Sequence, residues 1–179
     1  METTLRADPA YPCDPIEAIE VAVDRVSSTR VQFRYVVIGD ISRLRIPPPA
    51  PPLRTPRLWE ATCFEAFLRA EGEDSYLELN FAPSGQWAAF AFTHYRRGMT
   101  DAPLPAAPDI WVRRNTDRLE LQATVSPGLG AGPYAMNVAA ILENVDGGRS
   151  FWAARHPDEG PDFHHPGCFL DRLPPAAEP

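Results

Sequence analysis

The densest group of side chains that could do chemistry lies in residues 156–166. This segment holds imidazoles and carboxylates among three prolines and one glycine. Such groups ligate zinc and other divalent ions, so a metal site is one interpretation. The alternative is a rigid loop whose polar side chains bind backbone groups or line a pocket, and the absence of a His-x-x-x-His pair favours it. We therefore predict that His156, Asp162 and His164 contact a ligand without a metal.

Carboxylates in separate segments offer a second kind of chemistry. Glu65, Glu78 and Glu143 would form a glycosidase-like pair if the fold placed two of them about 5–10 Å apart. His156 beside a carboxylate would act as a general base. However, the sequence has no nucleophile elbow, P-loop or dinucleotide fingerprint, and its 24 acidic residues make chance pairs common. An enzyme acting on a sugar-like substrate is therefore the alternative and not the favoured function.

Short alternating segments, which must position these side chains, predict an all-β protein. Turn-forming sequences such as 71–74 and 83–85 separate them, and helical periodicity extends over no more than a turn or two. We predict an antiparallel β-sandwich or jelly roll of about nine or more strands. The predicted strands lie near residues 20–24, 31–37, 63–69, 76–81, 87–95, 110–113, 119–125, 134–143 and 150–156.

Alternate side chains of a strand point to opposite faces, so each strand can be divided into two faces. In residues 76–81 one face is bulky and apolar, and the other carries a tyrosine, a glutamate and an asparagine. In residues 87–95 we assign Phe90 and Phe92 to the apolar core face, and Trp87 and Tyr95 to the opposite face. We predict that this second face, where alanines adjoin polar and aromatic groups, is a concave binding surface. The alternative is that a loop covers it.

Residues 47–56, Pro-Pro-Pro-Ala-Pro-Pro-Leu-Arg-Thr-Pro, predict an extended crossing over the surface. Proline has no N–H to donate inside a sheet, which excludes a central strand. An SH3-type ligand is the less favoured reading of this segment. We predict one domain over residues 16–173, preceded by an N-terminal extension (1–15) and followed by a flexible tail (174–179).

Composition and charge argue against several classes of protein. The chain has 179 residues, a net charge of -7 and a hydrophobic fraction of 44%. The negative charge argues against a nucleic-acid binder that depends on phosphate contacts, and no apolar run reaches the roughly 18–20 residues of a membrane span. The three cysteines form no Cys-x-x-Cys pair, and the first residues lack the pattern of a secretory signal. We therefore predict a reduced, cytoplasmic protein.

Two stretches of the sequence resemble a known superfamily. The first comprises residues 58–67, Leu-Trp-Glu-Ala-Thr-Cys-Phe-Glu-Ala-Phe, and residues 76–85, Tyr-Leu-Glu-Leu-Asn-Phe-Ala-Pro-Ser-Gly. It resembles the DOMON-like superfamily, particularly its branch related to carbohydrate-binding modules of family 9, whose β-sandwiches carry a Trp before a strand, a Glu inside it and an Asn-x-x-x-Gly-like turn after the next. The second comprises residues 150–157 and 161–166, and is similar to an uncharacterised bacterial branch. Together the matches span most of residues 16–173.

The resemblance implies a non-catalytic ligand-binding sandwich, with sugars or haem as the ligands of better-known relatives. In the sugar-binding relatives, aromatic rings stack on the pyranose while carboxylates and amides hold its hydroxyls. The position-matched residues are Trp59 and Glu65, and more loosely Asn80. The alternative is that Trp59 is a core residue and Glu65 an internal partner of an arginine. The division of strands into faces adds further candidates: Trp87, Tyr95, Arg96 and Trp152.

We predict a small, soluble, carbohydrate-like polar ligand on the concave face, with no cofactor. The haem-binding relatives use a methionine and a histidine as axial ligands. Met99 and Met136 are present, but neither pairs with a histidine by position. Haem binding, metal binding and a protein-interaction module acting through the proline-rich crossing or a sheet edge remain alternatives. The oligomeric state is left open.

Overall fold

The computed structural model describes residues 1–130 and 132–175, which form twelve strands, three short 3-10 helices and no α-helix. The prediction of an all-β, antiparallel fold is confirmed. Part of the predicted tail, residues 176–179, lies outside the described residues. The strands are β1 (Glu2–Ala7), β2 (Ile16–Arg25), β3 (Val31–Gly39), β4 (Cys63–Ala70), β5 (Tyr76–Phe81), β6 (Trp87–Phe92), β7 (Thr100–Asp101), β8 (Asp109–Arg114), β9 (Arg118–Val125), β10 (Tyr134–Glu143), β11 (Arg149–Ala153) and β12 (Asp171–Leu173).

The twelve described strands belong to one continuous antiparallel sheet. Its order is β7-β6-β5-β4-β10-β11-β1-β2-β3-β9-β8, with β12 paired to β10. Strand β1 joins two sets of strands, because its first residues pair with β2 and its last residues pair with β11. We call β1, β2, β3, β9 and β8 the first half of the sheet, and β7, β6, β5, β4, β10 and β11 the second half.

The two halves face each other across the main hydrophobic core. Tyr35 of β3 packs on Phe64 of β4 with ring centroids 5.0 Å apart, and Phe33 packs on Phe81 at 5.7 Å. The buried hydroxyl of Tyr35 has a hydrogen-bond partner, because it donates to the backbone carbonyl of Glu65 at 2.7 Å. One apolar face of each half is therefore buried between them. Other fully buried members of this core are Leu5, Ile19, Leu79, Leu119, Leu121 and Met136.

Strand β1 lies in a part of the chain that we predicted as an N-terminal extension outside the domain. Its residues fill a central position in the sheet, and Leu5 is only 2% exposed. The sequence of this strand alternates weakly, since Thr3, Thr4 and Arg6 surround one large apolar residue. Its place in the sheet depends on pairing with β2 and β11. Such long-range pairing cannot be recognised from the local sequence.

The faces of β6 differ from the prediction. Trp87 and Ala89 point into the core between the halves, whereas Phe90 and Phe92 lie on the opposite, second face. Pairing with β5 decides this, because Glu78 is directly opposite Phe90. Directly paired residues share a face, so the phenylalanines must join the face that carries the glutamate. The strand also ends at Phe92, where we expected it to continue to residue 95.

The proline-rich crossing runs along one edge of β6 in an extended conformation. Thr55 donates its N–H to the carbonyl of Trp87 at 2.8 Å, and Ala50 donates to the carbonyl of Ser84 at 2.8 Å. The guanidinium of Arg54 lies over the Trp87 ring, 4.6 Å from its centroid, and donates to the carbonyl of Ala89 at 2.8 Å. The crossing therefore protects the sheet edge and the core side of β6. In the described chain no helix is long and apolar enough to cross a membrane.

Candidate functional site

The second face of the second half lies under residues 156–170, which we call the cover segment. This segment follows β11 and ends at β12, and both strands pair with β10. Asn137 of β10 binds the cover segment by donating from Nδ2 to the carbonyl of Phe163 at 2.9 Å. Phe163 packs in a second hydrophobic cluster with Ala139 and Ala153, whose small side chains leave room for it. The face is thus partly covered, by this segment and not by the proline-rich crossing.

A cavity of about 480 Å³ remains between the sheet, the cover segment and the turn after β6. This volume is within the range of small-molecule sites, which is about 300–1,000 Å³. Four of its lining side chains are polar or charged: Glu65, Glu78, Arg96 and His164. The rest of the lining is apolar.

Glu65 and Glu78 bring two carboxyl groups to one wall of the cavity. They lie on adjacent strands of the second face, and the register makes them diagonal neighbours, with Glu65 opposite Asn80 and Glu78 opposite Phe67. Both are nearly buried, at 4% and 5% exposure. Burial raises the pKa of Glu65 well above its ordinary value, and repulsion from Glu78 adds to this while Arg96 opposes it. Burial also raises the pKa of Glu78.

The two carboxyl groups differ in their hydrogen bonding. Asn80 donates from Nδ2 to Oε1 of Glu78 at 2.7 Å, and Nε2 of His164 lies 3.7 Å from Oε2 of the same residue. The carboxyl group of Glu65 receives no hydrogen bond from any side chain or backbone group in the described part of the chain. Its oxygens are not among the fully enclosed side-chain atoms that lack a partner, so they face the space of the cavity. Glu65 is therefore the polar group of the cavity that is available to a ligand.

His164 is held as a neutral imidazole beside these acids. The hydroxyl of Tyr76 accepts the backbone N–H of Arg96 at 3.2 Å, so its own hydrogen is free to be donated to Nδ1 of His164, 2.7 Å away. This bond places the imidazole hydrogen on Nε2, facing Glu78. Burial, helped by the nearby charge of Arg96, lowers the pKa of His164 to about 4. His164 therefore donates a hydrogen bond but adds no positive charge near neutral pH.

Arg96 lies in a tight turn, residues 93–98, that closes one end of the cavity. Arg97 donates its N–H to the carbonyl of His94 at 3.0 Å, and Arg96 has a φ of 53°. The left-handed region costs a residue other than glycine about 1–2 kcal/mol. The conformation is maintained because both the backbone and the side chain of Arg96 are bound elsewhere in the site.

Asp162 ties this turn to the cover segment. Its Oδ1 accepts from Nε of Arg96 at 3.2 Å, from Nη2 at 2.7 Å and from the backbone N–H of His164 at 3.1 Å. Its Oδ2 accepts the hydroxyl of Tyr95. Burial raises the pKa of Asp162, but these hydrogen bonds outweigh it, so the pKa lies below its ordinary value. The ion pair therefore holds the cover segment in place from acidic to neutral pH.

Aromatic and apolar side chains form the remaining walls. Trp59 lies in the 3-10 helix Leu58–Glu60 before β4, half-buried against Phe90 with ring centroids 5.8 Å apart. Phe92 of β6 stacks on Tyr76, with centroids 4.7 Å apart and an angle of 4° between the rings. Sugar rings pack their C–H faces on such surfaces. The other members of the apolar lining are Met99, Ile141, Phe151, Pro161 and Phe163.

The structure brings together a subset of the residues predicted for the site. Trp59, Glu65, Arg96 and His164 line the cavity. Three others lie behind the lining and are hydrogen-bonded there. Asn80 donates to Glu78, Asp162 accepts from Arg96, and Tyr95 donates to Asp162.

Three predicted site residues lie elsewhere. Trp87 is in the core and donates its indole N–H to the carbonyl of Pro52 at 3.2 Å, and Trp152 is in the core and donates to the hydroxyl of Ser150 at 2.9 Å. His156 borders a separate cavity of about 650 Å³ between residues 6–10 and 154–160. There its Nε2 donates to the carbonyl of Arg6 at 2.8 Å, and its Nδ1 lies 3.5 Å from Asp8.

The alternatives that involve a metal or haem find no shared geometry in the described residues. The polar groups of residues 156–166 disperse to different partners, and no group of three or more His, Cys, Asp or Glu side chains in the described chain is placed to hold a metal ion. Met136 is fully buried in the core, while Met99 is exposed at the mouth of the cavity. The three cysteines are free and buried.

Several lining residues were missed by the sequence analysis. Phe92 was assigned to the core. Tyr76, which does not line the cavity but hydrogen-bonds to His164, was noted only as a member of the second face. Phe151 and Phe163 carry no motif that separates a cavity wall from a core position. The register of β5 against β6 would have identified Phe92, because it pairs directly with Tyr76.

Comparisons with known proteins give a fold neighbour but no family. No protein-family model and no curated protein matches this sequence. The structure is similar to the crystal structure of a "putative carbohydrate-binding protein" from Bacteroides uniformis, with a TM-score of 0.64 and 15% sequence identity. The match covers 92% of this chain and 83% of that one. At this identity the similarity establishes a shared β-rich fold.

Proposed function

We propose that this protein binds a small, carbohydrate-like polar molecule in the cavity beneath the cover segment. The observation that carries the proposal is the carboxyl group of Glu65. It is 96% shielded from solvent, lines the cavity and has no hydrogen-bond partner in the described chain. A ligand hydroxyl would supply the missing hydrogen-bond partner, because the carboxyl oxygens face the cavity and no protein donor.

The rest of the lining supports the same class of ligand. His164 presents an N–H donor at Nε2 and Arg96 a guanidinium, so hydroxyl groups find both donors and acceptors. Trp59 and Phe92 offer rings for the apolar face of a sugar. The fold neighbour from Bacteroides uniformis, whose name includes carbohydrate binding, is consistent with this proposal.

We also propose that the fold is a β-sandwich of the DOMON-like superfamily, related to carbohydrate-binding modules of family 9. Two observations support this assignment: the halves pack face to face through Tyr35 and Phe64, and the sequence-matched Trp59 and Glu65 meet in one cavity. The cytoplasmic location remains a prediction from the sequence.

The proposal is tested by calorimetric titration with a panel of mono- and disaccharides at millimolar concentration. We expect at least one sugar to bind, and Trp59→Ala to weaken that binding about tenfold or more, because an aromatic contact of this kind is worth about 1–2 kcal/mol. Trp111→Ala is the matched control, since Trp111 is 48% exposed on edge strand β8 of the first half. Absence of binding to the entire panel would contradict the proposal.

An acid–base enzyme is the second candidate, favoured by the two carboxyl groups and the imidazole in one cavity. Diagonal residues on adjacent strands are typically about 7–8 Å apart, which is compatible with the carboxyl spacing of glycosidases. The pair Glu65 and Glu78, with their raised pKa values, has the environment of a general acid. Release of nitrophenol from a panel of nitrophenyl glycosides, lost in Glu78→Gln, would support it; no turnover by the wild type would remove it.

A further inference from the structure

The charges that line the cavity are unbalanced, and the imbalance points to the class of ligand. Glu65 and Glu78 contribute two acidic groups, and Arg96 contributes the one permanent positive charge in the described lining. The guanidinium of Arg96 is already paired with Asp162 through bonds of 3.2 and 2.7 Å. We propose that the ligand carries an ammonium group, as an amino sugar does, and that Glu65 receives it. This inference rests on the proposed function.

Among the described residues of the lining, Arg96 is the one charge that favours ionisation of the two acids, and it is bonded to Asp162. His164 is neutral near pH 7, because its Nδ1 accepts from Tyr76 and its pKa is lowered to about 4. The amide of Asn80 donates to Glu78 but carries no charge. The buried acids can therefore ionise only at a cost that burial and their mutual repulsion impose.

An ammonium group matches this environment better than a hydroxyl group does. It donates three hydrogen bonds and brings the missing positive charge, whereas a hydroxyl donates one and brings none. Hydrogen bonds to charged groups are roughly twice as strong as those between neutral groups. The Trp59 and Phe92 rings of the lining also attract a cation that approaches their faces.

Burial raises the pKa of both carboxyl groups, and a bound ammonium group would act in the opposite direction. The acidic groups that face the cavity would then titrate closer to their ordinary pKa values, since a cation at hydrogen-bond distance favours the ionised form. Any proton that the pair holds at the pH of the titration should therefore be released when glucosamine binds and kept when glucose binds. The other groups near the pair are Tyr76, Arg96, Asp162 and His164, and their hydrogen bonds do not require a proton from the ligand.

The experiment compares three hexoses with their 2-amino and 2-acetamido derivatives: glucose, galactose and mannose. Calorimetric titrations are run at about pH 6, where an aliphatic amine carries its proton. We expect one amino sugar to bind about tenfold or more tightly than both its hexose and its acetamido derivative, which separates charge from size. In Glu65→Gln the ratio of amino-sugar affinity to hexose affinity should fall to about twofold or less, whatever the absolute affinity for the hexose. Glu120→Gln on β9, whose carboxylate pairs with Arg34 in the first half, is the control and should keep the full preference.

Repeating the wild-type titrations in two buffers with different ionisation enthalpies counts the protons released, and this readout needs no variant to fold. Proton release with the amino sugar supports the inference. Equal affinity for hexose and amino sugar overturns the ammonium inference but leaves the proposed function intact. No binding of any sugar overturns both. An undiminished preference in a folded Glu65→Gln protein overturns the role of Glu65.

Discussion

Two buried residues of the cavity, Glu65 and His164, make opposite contributions to the pH dependence of stability. The pKa of Glu65 is raised above 4.5, so above pH 4.5 the unfolded chain releases a proton that the folded protein retains. Its contribution therefore makes the free energy of unfolding fall as pH rises. The pKa of His164 is lowered from 6.5 to about 4. Between these two pH values the unfolded chain therefore binds a proton at this residue, and the folded protein does not. Its contribution makes the free energy of unfolding rise with pH in that window.

Single substitutions should separate these contributions. In Glu65→Gln, the free energy of unfolding should rise more steeply between pH 4.5 and 6.5 than in the wild type. In His164→Gln, the rise that His164 supplies, up to about 3 kcal/mol, should disappear. Urea unfolding at several pH values measures both. Parallel pH profiles for the wild type and both variants would show that neither group is shifted by burial.

At the scale of elements, the turn 93–98 requires at position 98 a left-handed backbone conformation that glycine adopts easily. Gly98 has a φ of 67°, and a Cβ there would overlap the side chain of Thr93. An alanine at position 98 bears both the cost of a left-handed backbone and the clash with Thr93. Gly98→Ala should therefore lower the free energy of unfolding by at least about 1 kcal/mol more than the left-handed backbone alone does. It should also displace Arg96 from the cavity.

Gly72→Ala is the matched control, because Gly72 has a φ of 81° and no described atom within 4 Å of an added Cβ. Thermal unfolding and sugar titration of both variants give the two readouts. If Gly98→Ala behaves like Gly72→Ala in both, the turn does not hold the shape of the cavity.

The elements show why the sequence predicts only part of the site. Trp59 and Glu65 carry their own local signal, a tryptophan before a strand and a carboxylate in an apolar run. Trp87 and Phe92 do not, because both faces of β6 are apolar and only pairing with β5 decides which one meets the cavity. The cover segment was recognised as a rigid loop, but its position over β10 depends on Asn137 and on the return of the chain as β12.

At the scale of the whole molecule, β1 is the strand that joins the two halves of the sheet. Leu5 is buried in this strand and pairs with Ile19 of β2, and the residues before it pair with further residues of β2. Leu5→Ala should lower the free energy of unfolding by about 2–4 kcal/mol, as buried leucines do. Leu53→Ala, at a residue 62% exposed in the proline-rich crossing, is the control and should cost less than about 0.5 kcal/mol.

Urea unfolding followed by circular dichroism compares the two leucine variants. Equal stability of Leu5→Ala and Leu53→Ala would mean that residues 1–15 are the dispensable extension that the sequence suggested.

The sequence predicts the class of the fold but not how the strands join into one continuous sheet. Alternating segments such as β2, β3 and β9 identify an antiparallel all-β protein without tertiary information. The weakly alternating β1 and the two- and three-residue strands β7 and β12 are strands only because neighbours supply their hydrogen bonds. Such long-range pairing is absent from local periodicity.

The central claim, that a small polar ligand occupies the cavity beneath the cover segment, is tested most directly by the indole N–H signals of the four tryptophans in a nitrogen–proton NMR spectrum. Trp87 and Trp152 are in the core and Trp111 is on edge strand β8, so Trp59 alone lines the cavity. During titration with the tightest-binding sugar, the account predicts that the Trp59 signal, assigned with Trp59→Phe, shifts with the binding isotherm while the Trp111 signal stays in place. A ligand that shifts Trp111, or binds without moving Trp59, would contradict it.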